Sequence, residues 1–265
     1  LISIYEENVI FIEPGYYALN LLFKWSPVGY FYVFFIATAL SYFFILRQLC
    51  YERILKWGIF SLVSLGCLIW MNDIIRQGIA FSIFIYSLRY MKKGDFLSYF
   101  ICVAIACLFH YSAVVLLFFY FLRYLRLSSI VWILLIILTF VLQYAGIFRE
   151  LLKSLIAMIP YYGAYANKAD QYFVTGSVVG IGLIYKQLIA MCIALFYPKI
   201  SNKFYATLFL SGCVLDNIFL GTFIFERISN YLVYTNIMVF PYFFKSVCSQ
   251  RIRFLVVYII LIYFS

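Results

Sequence analysis

Six side chains in this chain join a reactive type to an apolar setting: His110, Glu13, Asp73, Arg76, Arg227 and Lys186. Arg76 and Arg227 suit an anionic ligand, because a guanidinium stays charged and grips phosphate oxygens with two parallel N–H donors. Lys186, well inside an apolar run, adds a third cation and points toward a polyanion site. His110 is the only histidine. An imidazole, with an ordinary pKa near ~6.5, can move a proton or give a neutral hydrogen bond at working pH. Glu13 and Asp73 are carboxylates able to serve as general bases. Each residue also has a plain structural reading. Arg76 can pair with Asp73 one turn away and Arg227 with Glu226. Glu13 can cap the helix after it, and His110 can satisfy a carbonyl freed at a bend.

The elements that carry these groups follow from composition. Of the 265 residues, 67% are hydrophobic and 11% charged, with 30 Phe, 26 Tyr and 4 Trp. Soluble domains carry about 25% charged residues, so a soluble globule, a disordered chain and a disulfide-rich secreted module are excluded. The apolar stretches are continuous, as in residues 130–147, which excludes the alternating strands of an outer-membrane barrel. The fold class is all-α, a polytopic transmembrane helical bundle of about ten hydrophobic segments in a single integral membrane domain, residues 1–265. The seven cysteines (50, 67, 102, 107, 192, 213 and 248) form no CxxC pair and have no histidine nearby, so they read as small buried hydrophobes and no metal is expected. There is no Walker A motif, HExxH, GxSxG or glycine-rich dinucleotide turn, and no cofactor is expected.

Net charge is +10, and most of the cations sit in five short connectors: Arg47/Arg53/Lys56, Arg89/Lys92/Lys93, Arg123/Arg126, Lys199/Lys203 and Lys245/Arg251/Arg253. They form no single stripe, so a nucleic-acid partner is excluded. They fall on one side of alternating helices, the cytoplasmic side by the positive-inside rule. Pro14 starts a short interfacial helix over residues 15–25. Segments 27–46, 55–71, 74–90, 96–109, 111–122, 130–147, 178–197, 204–220, 228–244 and 254–265 follow, with Glu226-Arg227 in a connector. A long outer region spans 148–177, whose Tyr161, Tyr162, Tyr165 and Tyr172 are able to stack on sugar rings. Segments 96–109 and 111–122 are too short to cross; fourteen helical residues reach about 21 Å. Two short crossings place more cations inside than one long one does, so the chain is expected to break at His110, in a recess open to the outside. Glu13, Asp73, Arg76, His110, Asp216, Glu226 and Arg227 then all lie near outer helix ends, with Lys186 about 12 Å below. Arg76, Arg227 and His110 are expected to share one cavity. Ionisable groups in spans are costly and are functional candidates by default. The inner half lacks a comparable set, which disfavours an ion or proton path.

Four stretches, in this order, resemble the EpsG-like, Wzy-type bacterial polysaccharide polymerases: Glu13-Pro14-Gly15-Tyr16-Tyr17, Asn72 to Ala80 (NDIIRQGIA), Leu108 to Ala113 (LFHYSA) and Glu226 to Tyr231 (ERISNY). The resemblance covers nearly the whole chain. It implies polymerisation of undecaprenyl-pyrophosphate-linked oligosaccharide repeat units into O-antigen, capsule or exopolysaccharide, at the outer leaflet of the bacterial cytoplasmic (inner) membrane. Such chemistry needs a base for the acceptor hydroxyl and cations for the departing pyrophosphate. The base is His110, Glu13 or Asp73, and the cations are Arg76, Arg227 and Lys186. The partners implied are the lipid-linked oligosaccharide, membrane lipids, a chain-length regulator and a flippase. Family members carry an earlier helix and an Asp-containing segment, so an N-terminal truncation is expected. A lipid-linked oligosaccharide flippase, or an acyltransferase using His110, are the alternatives.

Overall fold

The computed structural model describes residues 13–157 and 181–247, and every regular element among them is helical. Helix α1 (Pro14–Leu22) has Pro at its start, where the missing N–H costs nothing. It is followed by α2 (Gly29–Tyr51), α3 (Leu55–Ser64), α4 (Cys67–Asp73), α5 (Ile75–Lys93) and α6 (Phe96–Phe109). Next comes α7 (Tyr111–Tyr124), of which only Leu116–Phe119 is α-helical and the rest 3-10. The remaining helices are α8 (Ser129–Tyr144), α9 (Ile147–Ala157), α10 (Ile181–Leu195), α11 (Lys203–Phe219), α12 (Phe223–Val233) and α13 (Asn236–Val247). The chain divides into two compact units.

The first unit takes the described part of residues 1–55 and residues 66–120. Its centre is α5, whose consecutive residues from Gln77 to Ile85 are all buried, as expected of a helix enclosed on every face. It packs on α2 and α6. Asp95 caps α6 by accepting the Ser98 N–H at 3.1 Å. The expected break falls at His110, whose backbone is extended (φ −157°, ψ 114°). The break strands no backbone group there, because the His110 N–H bonds the Ala106 carbonyl and its carbonyl accepts from Ala113, both at 3.0 Å. Beyond it the chain turns back on α6. The Tyr99 hydroxyl donates to the Leu116 carbonyl at 2.6 Å, and the Tyr120 hydroxyl donates to the Gly94 carbonyl at 2.9 Å. The Phe96 and Tyr99 rings lie 5.0 and 5.2 Å from that of Tyr120. Segments 96–109 and 111–122 are thus two arms of one hairpin with His110 at its tip, and a single straight helix through His110 is excluded.

The second unit takes residues 56–65 and the described part of residues 121–265. Here α11 is central, buried without interruption from Tyr205 to Cys213, and it packs on α8, α10, α12 and α13.

Four elements differ from the sequence expectation. The start of the region 148–177, expected as an outer loop, is helical in α9. The run 55–71 is interrupted, because Gly66 adopts a left-handed conformation (φ 72°) that other residues resist. The run 228–244 is split at Tyr234-Thr235, where the Thr235 hydroxyl turns back onto the Leu232 carbonyl at 2.6 Å and competes with helix continuation. Glu226 and Arg227, expected in a connector, lie in α12. By length and apolarity alone α2 qualifies as a membrane-crossing helix, and α3 with α4 would be a second if counted as one broken span. Helices α6, α7, α8 and α10 are apolar but shorter, so helix length gives one or two spans among the described residues where the hydropathy runs give about ten segments. The outer tyrosines at 161, 162, 165 and 172, and segment 254–265, lie outside the described residues.

Candidate active site

Three of the six sequence candidates meet at one carboxylate. Glu13 stands at the start of α1, where an acid is favoured by the positive helix end, yet its side chain makes no cap. Its Oε2 instead accepts from Arg76 Nη1 at 2.5 Å, and its Oε1 lies 3.0 Å from His110 Nδ1. Glu13 is buried, its side chain 5% exposed, and His110 nearly so, whereas the Arg76 side chain remains 43% exposed. Asp73, the partner that sequence proximity offers Arg76, is exposed at the end of α4 and makes no ion pair among the described residues.

The local sequence explains how the three groups meet. Gly15 lies against the last turn of α6, and a Cβ there would stand 2.9 Å from the Leu108 carbonyl oxygen. Only a residue without a side chain lets α1 approach this closely. That contact sets Glu13, two residues before Gly15, beside His110, two residues after Leu108. Arg76 sits in the first turn of α5, which contains no acid. A cation there faces the positive end of the helix dipole, an arrangement that costs stability and is offset here by Glu13. Tyr16 adds a face to the guanidinium, its ring centre 5.9 Å from Arg76 Cζ.

Burial raises the pKa of Glu13, but the hydrogen bond with His110, its own backbone N–H and the Arg76 guanidinium together hold it below the ordinary 4.5. A carboxylate depressed in the folded state stabilises it above its unfolded pKa, and that contribution is lost as pH falls through the folded value. In thermal melts of the detergent-solubilised chain, wild type is therefore expected to exceed Glu13→Gln by about 1–3 kcal/mol at neutral pH. The lead should hold down to 4.5 and shrink below it. A lead unchanged well below that pH would show that the carboxylate's charge is not what holds the cluster.

With Glu13 ionised, His110 Nδ1 carries a proton and donates it to Oε1. That leaves Nε2 as the second ring nitrogen, buried and without a hydrogen-bond partner among the described residues. An orphaned buried nitrogen on an oriented imidazole is what a general base needs before substrate arrives.

The second unit contains its own polar assembly. Lys186 Nζ on α10 donates to Asp216 Oδ2 on α11 at 2.7 Å, and Ser229 Oγ on α12 donates to Asp216 Oδ1 at 3.0 Å. One residue further along both helices, Gln187 Nε2 donates to Asn217 Oδ1, and Asn217 Nδ2 reaches Thr139 Oγ1 on α8 at 3.1 Å. Glu226 accepts the Gly221 N–H at 2.7 Å, and Arg227 is exposed on α12. The Asp216, Asn217 and Ser229 contacts were not anticipated. Their signal was the pair of adjacent polar residues in each of two apolar runs, Lys186-Gln187 and Asp216-Asn217.

A strongly apolar chain, all-helical in its described residues, with a carboxylate–imidazole–guanidinium cluster fits a membrane-associated enzyme. The chain belongs to the EpsG family, whose model matches residues 2–265. This is a family of Wzy-like, membrane-associated polysaccharide polymerases. No curated protein and no solved structure matches the chain.

Proposed function

We propose that this chain joins undecaprenyl-pyrophosphate-linked oligosaccharide repeat units at the outer leaflet of the bacterial cytoplasmic membrane, as a multi-pass membrane glycosyltransferase. The observation that carries this reading is Glu13 holding Arg76 and His110 at once. His110 Nε2 takes the proton of the acceptor hydroxyl at the non-reducing end of the incoming unit. The acceptor oxygen attacks the anomeric carbon of the growing glycan, and the bond from that carbon to the pyrophosphate oxygen breaks. Undecaprenyl pyrophosphate leaves with the bonding electrons, its charge met by cations. Arg76 suits that role because one guanidinium nitrogen binds Glu13 while the side chain stays substantially open. Arg227 lies in the second unit and is given no part in this step. Lys186, in the same unit as Arg227, is held by Asp216, which a phosphate would have to displace. The base is assigned to His110 rather than Asp73, because His110 is oriented and buried and Asp73 is neither.

The test is glycan analysis in cells that lack the gene and carry it back on a plasmid. Loss of the polymerase should leave exported single repeat units without long chains, and restoring the gene should restore the ladder. Loss of all exported units would identify a flippase instead.

A further inference from the structure

A cavity in the second unit is lined by cations that the proposed reaction does not use. The end of α7, the connector that follows it, the 3-10 turn Tyr197–Lys199 and the start of α11 enclose a cavity of about 530 Å³. That is within the ~300–1,000 Å³ range of small-ligand sites. Arg123, Arg126 and Lys203 line it, and no acidic residue does. Buried Tyr197 and Thr207 also line it, their hydroxyls 3.0 Å apart, so the wall offers polar atoms as well as charge. Leu122, Leu125 and Phe204 supply an apolar part. Next to these residues in sequence, Phe121, Tyr124 and Ile130 expose 64%, 64% and 69% of their surface.

Cations without acids select an anion, and the mixed wall with bulky apolar side chains beside it selects an anion that carries hydrocarbon. Arginine in particular binds phosphate oxygens through its fork. We infer that this cavity binds the phosphodiester headgroup of an anionic phospholipid, with the acyl chains lying against the exposed aromatic and aliphatic side chains of the neighbouring helices. Arg123, Arg126 and Lys203 belong to the cation-rich connectors that the positive-inside rule places in the cytoplasm, so the lipid comes from the inner leaflet. Topology alone explains why cations stand in these connectors. It does not explain why three of them surround one cavity free of acids. The inference does not depend on the chemistry at His110.

The experiment uses the full chain in a neutral detergent, with binding read by native mass spectrometry and by thermal shift. The probes are phosphatidylglycerol, phosphatidylcholine with the same acyl chains, and water-soluble glycerol phosphate. Phosphatidylglycerol should bind at one saturable site and raise the melting temperature, at an affinity at least about 10-fold above phosphatidylcholine. Arg123→Ala/Arg126→Ala/Lys203→Ala should lose at least about 10-fold in that affinity. Arg47→Ala/Lys56→Ala, which removes connector cations outside the cavity, should keep it. Equal losses in the two variants would reduce the effect to general charge attraction and overturn the site. Glycerol phosphate binding as tightly as the lipid would make the ligand a soluble phosphate and overturn the lipid assignment. Wild type that does not distinguish phosphatidylglycerol from phosphatidylcholine would overturn the proposal however the variants fold.

Discussion

Alanine at position 110 is expected to lower polymer synthesis by about 100- to 10,000-fold, the range over which loss of a positioned general base acts. The measurement is the length and amount of glycan made by membranes that contain equal levels of wild-type or variant protein. Single-unit export should be unchanged, because the residue acts on the acceptor hydroxyl and not on delivery of the unit. Glu13→Gln should fall between wild type and His110→Ala. The amide oxygen can still accept from Nδ1, but the negative charge that stabilises the imidazolium after proton transfer is gone. The effect should appear in kcat rather than KM, since Glu13 is buried and reaches the reacting atoms only through His110 and Arg76. A full-length ladder from His110→Ala at normal rate would remove His110 from the chemistry and return Asp73 to consideration.

Arg76→Ala is the second large effect, expected at about 100- to 1,000-fold, the usual loss when one group stabilising the developing charge is removed. Arg76→Lys should recover only part of this. An ammonium can meet Glu13 or a phosphate oxygen as a point charge, but it cannot present one edge of a fork to each. Protein level should stay near normal in Arg76→Ala, because Glu13 retains its hydrogen bond with His110 and the guanidinium is partly exposed. Full activity in Arg76→Ala would show that the guanidinium serves Glu13 alone and never meets substrate.

The helices could be read from the sequence wherever local punctuation marks both ends. Helix α6 begins after Asp95, whose side chain caps it, and ends at His110, and the expected boundaries 96–109 match. The breaks at Gly66 and at Tyr234-Thr235 were not legible, because an uninterrupted apolar run reports burial and not backbone continuity. In the site, the residue types were legible and most of the pairings were not. Sequence proximity offered Asp73 to Arg76 and Glu226 to Arg227. Arg76 is instead served by Glu13, 63 positions away, and Glu226 takes the Gly221 N–H as a partner that proximity did not offer. Pairing across such distances is decided by which helices pack together. The only sequence trace of that packing is Gly15, which permits the approach of α1 to α6.

The cluster also has a timetable. Glu13 is 63 residues ahead of Arg76 and 97 ahead of His110. At a synthesis rate of roughly 5–20 residues per second, His110 emerges about 5–20 s after Glu13. For about the first two-thirds of that interval, until Arg76 is made, the carboxylate has neither partner, and hydrocarbon is no place for it. Helix α1, nine residues long and too short to cross, lets Glu13 wait in contact with water while the hairpin of α6 and α7 is made. The site therefore closes from its oldest end, when the last of its three segments arrives.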